Sequence, residues 1–167
     1  MLPQQDTLSL IAEIAAAIAG FAALAGVFTD RSDPAVQAFA RLRVVVSSGL
    51  LLLLSAVGPI IVAAFGLPDA TTWRICSAAA FGVNAFILVQ GLARSIEVDL
   101  PLRDWSTYVV FWPTEAICQL TLLANILGLF PSMAAPLYMA FLYSALVQTA
   151  WIFLELLDAA FRPAARG

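Results

Sequence analysis

Residues 108–130 read YVVFWPTEAICQLTLLANILGLF. A run this long and this apolar meets the ~20-residue requirement for crossing the hydrocarbon of a bilayer. Inside it stand Pro113, Glu115 and Gln119. Charged groups in such a segment are costly enough to mark functional positions. Whether the rest of the chain supplies matching spans decides both the fold and the meaning of Glu115.

The rest of the chain does supply them. Of 167 residues, 62% are hydrophobic and 11% charged, with a mean hydropathy of +0.95; soluble domains carry about 25% charged residues. Apolar stretches recur at approximately 8–28, 43–66, 73–93, 108–130 and 133–157. The expectation is an all-α integral membrane protein, a single five-helix transmembrane bundle over 1–167 with no room for a separate soluble domain. The first stretch lacks a basic leader and a small-residue cleavage site, so it is expected to stay as a helix rather than act as a cleaved signal.

Arginine placement orients the bundle. If five spans alternate, Arg31, Arg41, Arg43, Arg94, Arg103, Arg162 and Arg166 fall on one side and only Arg74 on the other. Basic residues concentrate in cytoplasmic loops, which predicts N-terminus out and C-terminus in. A four-span arrangement would scatter the arginines. The outer connections, at Gly66-Leu67-Pro68-Asp69 and Phe130-Pro131-Ser132, are short and predict antiparallel hairpins 2/3 and 4/5. On the inner side, Ser32-Asp33-Pro34 is a helix-start signal, so helix 2 is expected to begin near residue 34 in the cytoplasm. Residues 96–102 alternate polar and apolar and contain a proline, which predicts an extended interfacial segment.

Missing residue types exclude chemistry. There is no histidine, and all eight basic residues are arginine. Ser-His and Cys-His nucleophile activation, histidine ligation of haem or metal, and lysine Schiff bases are thereby unavailable. Cys76 and Cys118 have no metal-ligand spacing and lie at different depths, so they read as inert thiols. No enzyme, cofactor or metal site is expected. The net charge of −3 and the absence of a polybasic run argue against nucleic acid. Alanine and arginine usage suits a GC-rich bacterial genome and hence an inner-membrane location.

The polar residues inside the spans carry what remains. At about 1.5 Å rise per residue, Ser55, Asn84 and Gln119 fall roughly 16 Å from the outer edge, with Gln148 slightly deeper. Amides at that depth cannot reach water and must meet one another, another subunit or a water-filled path. Counting back from Phe130 places Glu115 about 6 Å inside the cytoplasmic edge, where it reads as a first-turn acid behind Pro113, within reach of the interface. Helix 4, also lined by Thr114, Cys118, Thr121, Asn125 and Gly128, is expected to be central. Glu13, Arg74 and Glu155 are secondary ionisable candidates near span ends, and Glu13 could meet Arg74 if helices 1 and 3 are neighbours. Helix 1 carries a small-residue stripe at Ala12, Ala16, Ala19, Ala23 and Gly26. Pro59 interrupts helix 2 and frees a backbone carbonyl.

These features predict a small homo-oligomeric channel or transport-type protein for a small cation or proton, with Ser55, Asn84, Glu115, Gln119 and Gln148 as pore or network residues. The alternative is a non-conducting accessory or scaffold subunit of a larger membrane complex. Partners are then the lipid bilayer, further copies of the chain or other membrane subunits.

Overall fold

The computed structural model describes residues 2–28, 35–97 and 105–161, and these form five α-helices and no strand: α1 (Gln5–Phe28), α2 (Ala35–Ala63), α3 (Asp69–Glu97), α4 (Trp105–Leu127) and α5 (Ala134–Phe161). Each contains a stretch long and apolar enough to cross a membrane, namely Gln5–Leu24, Leu42–Ala63, Asp69–Gln90, Val109–Leu127 and Pro131–Glu155. Only 22–33% of the most apolar window of each stretch is buried, and large apolar side chains including Phe21, Leu54, Phe86 and Leu120 face outward. The interior meanwhile contains Ser77, Glu115 and Asn125. Apolar outside and partly polar inside is the distribution an apolar surround favours.

Glycine and proline set the turns. α4 ends with Gly128 at φ 65°, its N–H donating to the Asn125 carbonyl at 3.1 Å while the Leu129 N–H reaches the Ala124 carbonyl at 3.1 Å. This paired closure needs the left-handed conformation that glycine adopts without penalty. The Arg74 guanidinium occupies the space that a Cβ on Gly128 would fill, placing a cation at the carbonyl end of α4. A 3₁₀ turn, Pro131–Met133, then leads into α5. α2 closes at Gly66, φ 72°, and the Pro68 carbonyl accepts from the Thr71 and Thr72 amides to open α3. Both hairpins, and the start of α1, lie at one end of the bundle, called here the turn end.

One boundary differs from the sequence reading. α3 continues to Glu97, so Ile96 and Glu97 are helical rather than extended, and the remainder of that connection lies outside the described residues. α2 is described from Ala35, and the Ser32-Asp33-Pro34 start signal also lies outside them.

The centre of the bundle is α2 and α5, not α4. α5 touches every other helix, α2 touches α1, α3 and α5, and α4 packs only on α3 and α5. The hydroxyls of Thr114 and Thr121, which widened the apparent polar face of α4, donate to carbonyls of their own helix at Val110 and Ile117, both at 2.7 Å. Such back-bonding satisfies a threonine without any neighbouring helix.

α1 lies on α2 through small residues. Its buried stripe is Ala12, Ala15, Ala19 and Ala22, displaced from the stripe expected at Ala12, Ala16, Ala19 and Ala23, because Ala16 and Ala23 are exposed. A Cβ on Gly49 would stand 2.9 Å from the Ala19 Cβ and 3.2 Å from the Ala15 carbonyl oxygen, so the two backbones are in near contact.

Pro59 stands inside α2 and has no N–H to give the carbonyl of Ser55, four residues earlier. The phenol of Tyr138 on α5 donates to that carbonyl at 2.8 Å. Tyr138 is 1% exposed and fixed between Trp73 and Phe141, with ring centroids 5.4 and 5.5 Å away. Removing the phenol hydroxyl in Tyr138→Phe leaves the carbonyl buried and unpaired and is expected to lower stability by about 1–3 kcal/mol. In Pro59→Ala the helix regains its own donor, so the same tyrosine substitution there should have a smaller effect, measured by equilibrium unfolding in detergent.

Candidate functional site

α4 turns a heptad-like face inward: Glu115, Cys118, Leu122 and Asn125 are all buried, following one another at spacings of three and four. Along that face α4 meets α3 on one flank and α5 on the other. Glu115 is 4% exposed and lies ten residues after the helix start at Trp105, not in its first turn. Pro113 is likewise inside the helix. From Val109, where the apolar stretch begins, the rise places Glu115 about 9 Å within it. The reading of Glu115 as a first-turn acid fails because α4 extends further back than the twenty residues counted from its far end.

Three amides from three helices converge on this carboxylate. Gln119, one turn further along α4, donates from Nε2 to Glu115 Oε1 at 2.7 Å. Asn84 of α3 donates from Nδ2 to the same oxygen at 3.2 Å. Gln148 of α5 donates from Nε2 to Oε2 at 3.4 Å, and the same nitrogen lies 3.5 Å from the Phe111 carbonyl. Both carboxylate oxygens act as acceptors, so the protein supplies the solvation that water would otherwise give. The Gln119 Oε1 atom is buried beside the carboxylate without a hydrogen-bond partner.

Ser55 does not join this group, although it was expected at nearly the same depth. Its helix, α2, does not pack on α4, and it meets α5 through its backbone carbonyl rather than as a network side chain. Equal depth does not imply a shared face. Glu13 and Arg74 are both exposed on helices that are not neighbours, and no ion pair joins them. Glu155 is half-buried and accepts from Trp151 Nε1 at 2.9 Å, one turn back on α5.

A second polar junction went unassigned in the sequence. Asn125 Nδ2 donates to Ser77 Oγ at 3.0 Å and to the Ala134 carbonyl at 2.9 Å, tying α4 to α3 and to the start of α5. The readable signal was that Ser77 and Asn125 both lie close to the turn-end glycines and prolines. Tyr138 was missed too, and its signal was the carbonyl that Pro59 leaves free. Cys76 and Cys118 are free, buried thiols, and Cys118 Sγ contacts the Phe141 carbonyl at 3.7 Å.

Among the described residues no group of three or more Asp, Glu, Cys or His side chains is placed to hold a metal ion. Near Glu115, Gln119 Oε1 is without a hydrogen-bond partner, whereas the Phe111 carbonyl accepts from Thr114 Oγ1 at 3.0 Å and lies 3.5 Å from Gln148 Nε2. Comparison with family models, with characterised proteins and with solved structures finds no match. Fold and site together define a bundle of five helices, each long and apolar enough to cross a membrane, with a buried carboxyl–amide cluster at its α3–α4–α5 seam.

Because the amides share one acceptor, their contributions should be coupled. Asn84→Ala and Gln148→Ala are expected to destabilise non-additively, with a coupling of about 0.5–2 kcal/mol in a double-mutant cycle. In a Glu115→Leu background that coupling should vanish.

Proposed function

We propose that the chain is an oligomeric membrane protein that passes a small cation or proton, with Glu115 as the ion-binding group and Asn84, Gln119 and Gln148 positioning it. The observation that carries this reading is the buried Glu115 carboxylate, which is held only by neutral amides. Three neutral donors stabilise a carboxylate but do not neutralise it, so the site retains an attraction for a cation. The unpartnered Gln119 oxygen adds an oxygen ligand of the kind hard monovalent ions accept.

Orientation follows from the arginines: Arg31, Arg41, Arg43, Arg94, Arg103, Arg162 and Arg166 would face the cytoplasm with the C-terminus, and Arg74 the outside with the N-terminus. An inner-membrane location in a bacterium goes with this reading.

A second reading is an accessory subunit that conducts nothing, in which the cluster only fastens α3, α4 and α5. It is supported by the contacts of Glu115 to Asn84 of α3 and Gln148 of α5, which join three helices. Flux through liposomes holding the purified protein separates the two. In the conducting case Glu115→Gln, which keeps the shape and removes the charge, lowers cation or proton flux about tenfold or more, corresponding to a barrier change of at least ~1.4 kcal/mol. Absence of flux across a wide pH range, with co-purification in fixed stoichiometry with another membrane protein, supports the accessory subunit.

A further inference from the structure

Glu13 of α1 and Arg74 of α3 are opposite charges on the outward surface of a bundle that is otherwise mostly apolar there. The Arg74 guanidinium lies beside Gly128 at the carbonyl end of α4 with no carboxylate paired to it among the described residues, and Glu13 is carried by a helix that does not pack on α3 within the chain. A charge facing lipid from within an apolar stretch is costly unless it is paired or reaches the interface. Glu13 is eight residues past the start of α1, about 12 Å along it, which is well inside the stretch Gln5–Leu24.

Both helices start at the turn end and run the same way. Arg74 is five residues past the start of α3, about 7 Å along it, so the two charges differ in level by about 5 Å, within the reach of an arginine side chain. Below each charge the same helix face becomes small: Ala17 and Gly20 on α1, Ala78 and Gly82 on α3, all exposed. A Cβ built on Gly20 or Gly82 would meet nothing within 4 Å, so neither glycine is used by packing inside the chain. Glycine inside a helix weakens it relative to alanine, whereas small residues below a paired charge allow two helices to approach closely.

We propose that a second copy of this chain covers the outward face of α1 with its own α3, setting Glu13 of one protomer against the partner's Arg74. The charge complementarity selects a second copy as the occupant, because one chain supplies both halves of the contact on different helices. Such a contact is head-to-tail, and repeated by rotation it closes a ring rather than a two-fold dimer. The inference rests on reading the chain as membrane-spanning and self-associating, not on Glu115 carrying an ion.

Charge reversal tests it with the full chain in detergent or nanodiscs, with self-association read by native mass spectrometry. Glu13→Arg and Arg74→Glu are each expected to weaken assembly about tenfold or more, and the double variant carrying both to restore it. Oxidation of the double variant Ala17→Cys with Ala78→Cys should give a ladder of linked copies, while Ala17→Cys alone gives none. A linked dimer from Ala17→Cys alone, or unchanged assembly in both single reversals, overturns this interface while leaving the oligomeric reading intact. A wild-type chain that is monomeric at every concentration overturns both. Flux through the Glu115 cluster is a separate measurement that neither result predetermines.

Discussion

A carboxylate removed from water must be solvated by something, and the bundle is arranged so that three amides do it. Gln119 comes from the same helix, but Asn84 and Gln148 have to be delivered by α3 and α5. That requirement fixes both rotation and depth. Turning α5 by half a turn would remove Gln148 from Glu115, and sliding α3 by one turn, about 5.4 Å, would remove Asn84. Apolar packing alone tolerates such shifts more readily, since one leucine resembles another, whereas a buried charge that loses a donor is strongly penalised.

The other side of the bundle is held differently. α1 and α2 meet through Ala15, Ala19 and Gly49, with backbones close. There the attraction is van der Waals contact, which small residues maximise by letting helices approach. α2 and α5 use a third device: Pro59 releases the Ser55 carbonyl and Tyr138 takes it. The proline is thus tolerated inside a helix because a neighbour supplies the donor that its own residue lacks. Each of these seams depends on particular residues, so the helix order around the bundle is specified locally.

The helices were legible because their signals are strong and local. Long apolar runs mark the five elements, and glycine with proline near residues 66–68 and 128–131 marks both hairpin turns. Neighbour relations were less legible. Alanine occurs on both faces of α1, so Ala16 and Ala23 looked equivalent to Ala15 and Ala22 until α2 selected one side. Depth counting grouped Asn84, Gln119 and Gln148, which do meet near Glu115, but it also included Ser55, whose helix packs on α1, α3 and α5 rather than on α4. Depth is one coordinate, and the azimuth of each helix comes only from packing. Glu115 itself was misplaced because the length of α4 was taken from the bilayer requirement rather than from where its helix begins.

Glu115 also has to be weighed against a neighbouring junction that fastens the same helices without charge. Ten residues along α4, about 15 Å further, Asn125 links Ser77 on α3 and the Ala134 carbonyl at the start of α5 using neutral groups alone. If joining α3, α4 and α5 were the whole task, a second neutral amide at position 115 would serve with a far smaller desolvation penalty, and well-packed apolar residues would often serve better still. A carboxyl group adds one property those groups lack, the capacity to carry a negative charge, and it lies beside the unpartnered Gln119 Oε1. Interhelical fastening therefore accounts for the amides at Asn84, Gln119 and Gln148 but not for the acid they surround. That difference is the ground of the proposed ion-binding role.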